Sequence, residues 1–166
     1  MARAARGVQR AAASVIDFAR AVDLPIAVAD AWRALWDVRG VARCLPGCQD
    51  VEEVEPQRRY RATVKDRVGP FSVAVLLDVA VESSEADRRL RIDATGRDSV
   101  LGSPVRMSLT ARLTPEPAGG SRLTLDGRAE VGGKLAALGQ AVIHRKTRDV
   151  LDAFARQLGE MLQRGA

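Results

Sequence analysis

Few side chains in this 166-residue chain could carry out acid–base chemistry. His144 is the single histidine, and because the sequence places no acid beside it, we interpret it as a surface residue and not as part of a catalytic triad. Because successive side chains of a strand alternate between its two faces, Asp66 and Asp98 are predicted to point to the inner face of the sheet. A carboxylate in an apolar cavity needs a hydrogen-bond partner and has a raised pKa. A local bulge that turns either side chain outward is the alternative.

Metal and phosphate sites have little support in the sequence. Cys44 and Cys48 enclose a Pro-Gly turn and could bind a metal only with two further ligands, yet no other cysteine exists. We interpret both as small buried hydrophobic residues. Gly132-Gly133-Lys134 is too short for a phosphate-binding loop and is interpreted as the break before a C-terminal helix. We therefore assign no catalytic residue, no metal and no cofactor.

The charge pattern argues against a nucleic-acid-binding protein. The formal net charge is +5, but Arg3, Arg6 and Arg10 supply three of these charges within the first fourteen residues, which contain no acid. Further arginines alternate with acids along predicted strands, which is typical of a solvated outer face and not of a basic binding stripe: Arg58, Arg61, Arg91, Arg112 and Arg122. We expect residues 1–14 to be a disordered basic extension and residues 15–166 to form a single domain.

Hydropathy indicates a protein of the cytoplasm. No signal-peptide apolar region precedes the predicted domain, and the two cysteines do not make a disulfide framework. No run of eighteen apolar residues is present, so we expect nothing that spans a membrane.

Alternating apolar residues predict the strands that would position any site. A first strand runs from Val15 to Leu24, and two short helices follow at 29–36 and 38–44. Five more amphipathic strands are predicted at 60–68, 71–81, 90–94, 105–113 and 123–131, joined by short turns that favour antiparallel neighbours. Gly96 and Gly127 lie on the inward parity, where a bend or a missing side chain would open space above the sheet.

The segment from Lys134 to Gln163 predicts one long C-terminal helix with an apolar stripe. The stripe consists of Ala136, Gly139, Ile143, Thr147, Val150, Phe154, Leu158 and Met161. Small residues at its start either let the backbone approach the sheet closely or leave a cavity, and the pattern does not separate the two. The predicted class is α+β, with a curved antiparallel sheet covered by this helix.

Four motifs taken together resemble the G-subunit family of carbon monoxide dehydrogenase over roughly residues 18–162. They are Trp32-x-x-Leu35-x-Asp37; Cys44-Leu45-Pro46-Gly47-Cys48; Tyr60-x-Ala62-Thr63-Val64-Lys65 with Val68-Gly69-Pro70; and Val131-Gly132-Gly133-Lys134-Leu135-Ala136 with Leu138-Gly139. The resemblance implies a START-like, polyketide-cyclase-like domain with a helix-grip fold. In that fold a curved antiparallel sheet of six to seven strands wraps round a long C-terminal helix and encloses an apolar cavity.

The resemblance also implies an accessory and non-catalytic role. Genes of this family usually accompany molybdenum hydroxylases, and the protein is thought to help assemble that enzyme, recruit it to the membrane or pass electrons to quinone. Many relatives carry a C-terminal linker and apolar anchor, whereas this sequence stops at Ala166 and has a basic N-terminal extension. We therefore expect at most peripheral contact with the inner face of the cell membrane.

Three functional hypotheses follow. The first is a module that binds a lipophilic molecule such as a quinone, with a lining for which ordinary core packing is the alternative: Tyr60, Phe71, Val73, Met107, Leu109, Gly139, Ile143 and Thr147. The second is a polyketide cyclase-like enzyme that acts on a hydrophobic substrate, with Asp66 as its acid or base. The third is a pure docking protein that binds a partner protein or a second copy of itself through an exposed patch of Leu135, Leu138 and Val142.

Overall fold

The computed structural model describes residues 13–165. The predicted disordered extension, residues 1–14, lies outside this range except for its last two residues. Ser14 is already the first residue of a strand and is buried, so the ordered domain begins slightly earlier than predicted.

The described residues form seven strands and four helices. The strands are β1 (Ser14–Leu24), β2 (Cys48–Glu55), β3 (Arg59–Val68), β4 (Phe71–Ser84), β5 (Arg89–Asp98), β6 (Pro104–Pro115) and β7 (Ser121–Val131). The helices are α1 (Val28–Leu35) and α2 (Val38–Arg43), which follow the first strand, and α3 (Gly133–Ala136) and α4 (Gln140–Gly165) at the end.

All seven strands belong to one antiparallel sheet in the order β1-β7-β6-β5-β4-β3-β2. Each strand from β2 to β7 pairs with its neighbour in sequence, as the short turns predicted. The strand β1 pairs with β7 and forms the edge of the sheet opposite β2. The predicted α+β class, with two short helices after the first strand and a long helix at the end, is confirmed.

The strand β2 was missing from the predicted elements. Its sequence, CQDVEEVE, contains no run of alternating apolar residues, and most of its side chains are exposed. It pairs with β3 alone and with register shifts, so it is an edge strand that needs no buried face. Alternating apolar residues are expected only in a strand that buries one face against a core, so the sequence of β2 does not predict a strand.

The prediction of one unbroken helix from Lys134 to Gln163 was wrong at its start. The chain forms the short α3, leaves helical geometry at Gly139, where φ is +96°, and then begins α4. The Ile143 N–H donates to the Gly139 carbonyl at 3.3 Å, so this glycine directly precedes the long helix. A positive φ of this kind is accessible to glycine and strained for other residues.

Gly139 and Gly159 provide a matched pair for measuring that strain. A methyl group at either position would meet no atom within 4 Å, but only Gly139 has a positive φ, whereas Gly159 lies inside α4. We expect Gly139→Ala to lower the free energy of unfolding by about 1–2 kcal/mol. Gly159→Ala should raise it by about 0.5–1 kcal/mol. Urea unfolding measures both, and equal effects of the two changes would contradict the assigned backbone geometry.

The main core lies at one end of the sheet, where α1 and the C-terminal half of α4 pack together. Its members are Val22, Leu24, Ala31, Trp32, Cys44, Leu90, Ala111, Leu113, Leu123, Leu125, Phe154, Ala155, Leu158 and Leu162. Other buried apolar residues, such as Tyr60, Val73 and Ile143, lie outside this cluster. Buried residues are therefore not confined to this end of the sheet.

The outer face of the sheet carries paired charges, as the sequence predicted. Arg61 contacts Asp78 at 3.2 Å, and Arg122 contacts Asp23 at 2.9 Å. These side chains are exposed, so each pair contributes little to stability. Because their charge is balanced locally, these arginines form a solvated surface and not a stripe of free positive charge.

Candidate functional site

Cross-strand pairing places one row of side chains across the inner face of the sheet. Tyr60 on β3 lies opposite Val79 on β4, which lies opposite Ala94 on β5. Ala94 in turn lies opposite Met107 on β6, and Met107 opposite Ala129 on β7. Directly opposed residues in an antiparallel sheet point to the same face. All five therefore face the side that the buried Tyr60 and Ala94 define as inner.

The apolar side chains in the middle of this inner face are incompletely covered. Several that share the inward parity are half-buried: Phe71, Leu77, Val79, Val105, Met107 and Ala129. The helix α4 has its main contacts with the edge strand β1 and a smaller contact with β3. The result is an apolar concave face with accessible side chains, which is the kind of surface that lipophilic ligands use.

The facing part of α4 is also apolar. Ile143 is buried, while Thr147 and Val150 are half-buried. The Thr147 hydroxyl donates to the Ile143 carbonyl at 2.9 Å, so its one donor is used within the helix. This wall therefore offers a ligand hydrocarbon contacts and few polar groups.

An ion pair at β3 joins the inner face of the sheet to the helix. Lys146 Nζ on α4 lies 2.7 Å from Asp66 Oδ2 on β3, and the other carboxylate oxygen accepts the Arg67 N–H at 2.8 Å. The register between β3 and β4 is unbroken, so the predicted bulge alternative is wrong for Asp66. This aspartate reaches the helix from the inner face, as its parity predicted.

Asp98 is fully buried, but its surroundings differ from those predicted. Its carboxylate accepts the Ala74 N–H at 2.7 Å and the Leu101 N–H, which ties the turn after β5 to β4. Burial alone would raise the pKa of Asp98, but hydrogen bonds from the backbone N–H groups of Ala74, Leu101 and Val100 outweigh it and hold the pKa below its usual value. The expectation of a raised pKa in an apolar cavity was therefore wrong, and Asp98 has a structural role.

The two inward glycines allow close packing and do not open space. A methyl group at Gly127 would lie 2.5 Å from Cζ of Phe18, so the Phe18 ring occupies the place that the missing side chain leaves. A methyl group at Gly96 would collide with the Leu76 carbonyl oxygen of the neighbouring strand.

Six of the eight predicted lining residues lie on the inner face of the sheet or on the helix above it, and one of them, Leu109, also packs against the main core. Four lie on the inner face of the sheet and two on the facing helix: Tyr60, Val73, Met107, Leu109, Ile143 and Thr147. Phe71 is half-buried at the start of β4, and Gly139 lies at the break before α4. The Tyr60 hydroxyl accepts the Gln57 N–H at 3.0 Å in the β2–β3 turn, and burial raises its pKa. Its ring, and not its hydroxyl, therefore faces the site.

The predicted docking patch is already engaged within the chain. Leu135 is only 3% exposed, so it is not part of an exposed patch. Leu138 and Val142 are half-buried against the β3–β4 turn, where a methyl group at Gly69 would lie 3.4 Å from Cδ1 of Leu138 and 3.7 Å from Cγ1 of Val142. This contact between distant segments covers part of the apolar surface that the helical pattern indicated.

Two surface grooves run along the helix near β1. The first, of about 230 Å³, lies beside Phe18, Thr147 and Leu151 and is crossed by an ion pair between Arg20 and Asp152 at 3.2 Å. The second, of about 500 Å³, lies near the end of β1 and the last turns of α4. Of the predicted lining residues, Thr147 borders the first groove.

Sequence reasoning missed five residues of the inner face and its rim: Leu77, Val79, Val105, Ala129 and Lys146. The strict alternation along β4 is a signal for Leu77 and Val79, which share parity with the buried Val73 and Val75. Lys146 follows Ile143 by three positions, a spacing that places both on neighbouring parts of the helix surface. Nothing local in the sequence indicates that it meets Asp66.

The remaining reactive side chains lie apart from the concave face. His144 is exposed, as predicted. Cys44 belongs to the main core and Cys48 is half-buried; both are free, and burial raises the pKa of each thiol. Within residues 13–165, no group of three or more potential metal ligands occurs, and no helix is both long and apolar enough to cross a membrane.

Comparisons with known proteins agree with this architecture. A family model for the G-subunit of carbon monoxide dehydrogenase (CoxG) matches residues 21–163. A conserved protein from Geobacillus kaustophilus has a similar structure, with a TM-score of 0.80 at 20% identity over 90% of this chain and 96% of that chain. No curated protein matches the sequence.

Two further solved structures resemble this chain at lower identity. A START superfamily protein from Mycobacterium smegmatis has a TM-score of 0.66 at 11% identity and covers 90% of this chain and 99% of its own. The Zhui aromatase/cyclase from Streptomyces sp. R1128 has a TM-score of 0.60 at 16% identity, over 89% of this chain and 91% of its own. Likeness at such identities concerns the fold, and it confirms the predicted START-like helix-grip arrangement.

Proposed function

Because the chain belongs to the CoxG family of carbon monoxide dehydrogenase, we propose that it is a non-catalytic accessory protein that binds a lipophilic molecule on its concave face. A quinone is the ligand we favour, and a molybdenum hydroxylase of the carbon monoxide dehydrogenase type is the enzyme it serves. The family description supports the partner, and the apolar inner face supports the ligand.

The observation that carries the ligand proposal is the row of half-buried apolar side chains on central strands. Val79, Met107 and Ala129 point towards α4, yet each remains partly accessible. Side chains in this position would ordinarily be close-packed against the covering helix. A lipophile placed there would cover apolar surface that the folded chain leaves open, which favours binding through the hydrophobic effect.

The cyclase-like alternative has weaker support. Asp66, its candidate acid or base, uses one carboxylate oxygen for the Arg67 N–H and the other for Lys146. A carboxylate held at both oxygens is suited to positioning the lysine. A general base must have its carboxylate free to reach a substrate proton.

Calorimetric titration of the purified chain with a short-tailed benzoquinone tests the ligand proposal. We expect saturable binding of one molecule per chain, with a negative heat-capacity change because apolar surface is buried. Absence of saturable binding to any lipophile of this class would contradict it.

Affinity purification of the tagged chain from its own host tests the partner proposal. We expect a molybdenum-containing enzyme to co-purify with the chain. We also expect the chain to associate with the cytoplasmic face of the membrane as a peripheral protein. A matched preparation of an untagged strain is the control. Recovery of the chain alone at low ionic strength would contradict the accessory role.

A further inference from the structure

The ion pair between Asp66 and Lys146 lies at the rim of the concave face. Asp66 belongs to the inward parity of β3, opposite the buried Val73, and Lys146 lies one turn of helix from Ile143 and Val150. The side chains are 27% and 31% exposed, so the pair is partly withdrawn from solvent. It is a polar group at the border of an otherwise hydrocarbon surface.

Lys146 has hydrogen-bonding capacity beyond this pair. An ammonium group has three N–H donors, and among residues 13–165 its partner is Asp66. Both oxygens of Asp66 are already engaged, by Lys146 and by the Arg67 N–H. The carboxylate therefore holds the ammonium in place, and the ammonium can still donate to a further acceptor.

The net charge of the pair decides what that acceptor can be. Asp66 neutralises the charge of Lys146 at a contact of 2.7 Å, so the two groups together present donors without a net positive charge. An anionic head group would be attracted by the lysine but repelled by the aspartate beside it, so the two electrostatic interactions would largely cancel. A neutral carbonyl oxygen accepts a charge-assisted hydrogen bond from the lysine without that repulsion.

We propose that Lys146, positioned by Asp66, is a specificity-determining residue that selects lipophiles with a neutral hydrogen-bond-accepting head, such as a carbonyl, over fatty acids. This inference rests on the proposed function, since it requires that a lipophile occupies the concave face. It defines the chemical class of the ligand: a hydrocarbon body against the sheet and an uncharged oxygen acceptor at the rim between β3 and α4.

The variant Lys146→Met tests the assignment because it keeps the apolar stem and removes the donors. Binding is measured by calorimetry with a short-tailed benzoquinone, a fatty acid and an alkylbenzene of equal tail length. We expect the wild-type protein to prefer the quinone over the fatty acid. Lys146→Met should lower quinone affinity at least about tenfold, the effect of losing one charge-assisted hydrogen bond. Its affinity for the alkylbenzene should not change.

A matched control separates recognition from anchoring of the helix. Arg20 forms the other ion pair between the sheet and α4, with Asp152 at 3.2 Å, beside β1. Arg20→Met should therefore leave the affinity for all three probes unchanged. Asp66→Asn should shift the preference towards the fatty acid, because it leaves the charge of Lys146 unbalanced. If Lys146→Met does not fold, Asp66→Asn is the variant that tests the assignment.

The possible outcomes distinguish failure of this assignment from failure of the proposed function. Wild-type quinone binding that Lys146→Met does not weaken would overturn the assignment and leave lipophile binding intact. A wild-type preference for the fatty acid, or an equal loss in Arg20→Met, would also overturn the assignment. If the wild-type protein binds none of the three probes, the proposed function fails and the assignment fails with it.

Discussion

Replacing Val79 with tryptophan should lower the affinity for a lipophilic ligand at least about 100-fold. Val79 lies in the inner row between Tyr60 and Ala94 and is half-buried, so an indole at this position would extend over the inner face on which we propose that the ligand binds. Aromatic residues suit strands, and Val79 is not part of the main core cluster. We therefore expect the variant to fold while excluding the ligand.

The next residue of the same strand provides the control. Ala80 is exposed, and its side chain points to the outer face because successive strand residues alternate. Ala80→Trp should bind a benzoquinone whose tail is long enough to reach from Lys146 to Val79, about 20 Å along β4, as the wild-type protein does. Calorimetry gives both affinities, and urea unfolding shows that both variants are folded. Undiminished binding by Val79→Trp would place the ligand somewhere other than the concave face.

Replacing Asp98 with asparagine should lower the free energy of unfolding by about 3 kcal/mol. The carboxylate is fully buried and accepts backbone N–H groups from β4 and from the turn after β5. An asparagine has one acceptor oxygen and places an NH₂ group against a donor, so a buried N–H loses its partner. Urea unfolding at neutral pH measures the difference.

The stability lost in Asp98→Asn should become smaller as the pH is lowered. The pKa of Asp98 in the folded state lies below its ordinary value of 3.8. Its contribution to stability is therefore complete above that value and is lost as the pH falls through the folded-state pKa. The difference in free energy of unfolding between the wild-type protein and Asp98→Asn should decrease below about pH 4.

Asp93 on the same strand is the matched control for Asp98. It is exposed and accepts the Ser108 hydroxyl at 2.7 Å on the outer face. Asp93→Asn should change the free energy of unfolding by no more than about 0.5 kcal/mol. If Asp98→Asn costs no more than this, the carboxylate is not the buried acceptor that we describe.

The sequence predicted the sheet well wherever one face of a strand is buried. Val73 and Val75 alternate with outward residues along β4, and burial of that face is what produces the pattern. The strand β2 has no buried face and so produced no pattern. The break at Gly139 was invisible for a different reason: a glycine tolerates helical and left-handed geometry alike, and its neighbours do not indicate which it adopts.

The candidate site could be predicted on the sheet side and not on the helix side. Parity alone assigns Met107 and Leu109 to the inner face, since a strand has only two faces. The ion pair of Lys146 with Asp66 depends on the rotation and position of α4 over the sheet, which tertiary packing decides. For the same reason Leu138 was predicted to be exposed, although it packs against the β3–β4 turn.

Native mass spectrometry with lipid extraction, on protein purified from its own host, shows whether the concave face holds a lipophile with a neutral acceptor head. We expect one such molecule per chain, which is lost in the Val79→Trp variant and retained in Ala80→Trp. Recovery of the wild-type protein without any bound lipophile, or with one that Val79→Trp retains, would mean that the concave face is not the binding site.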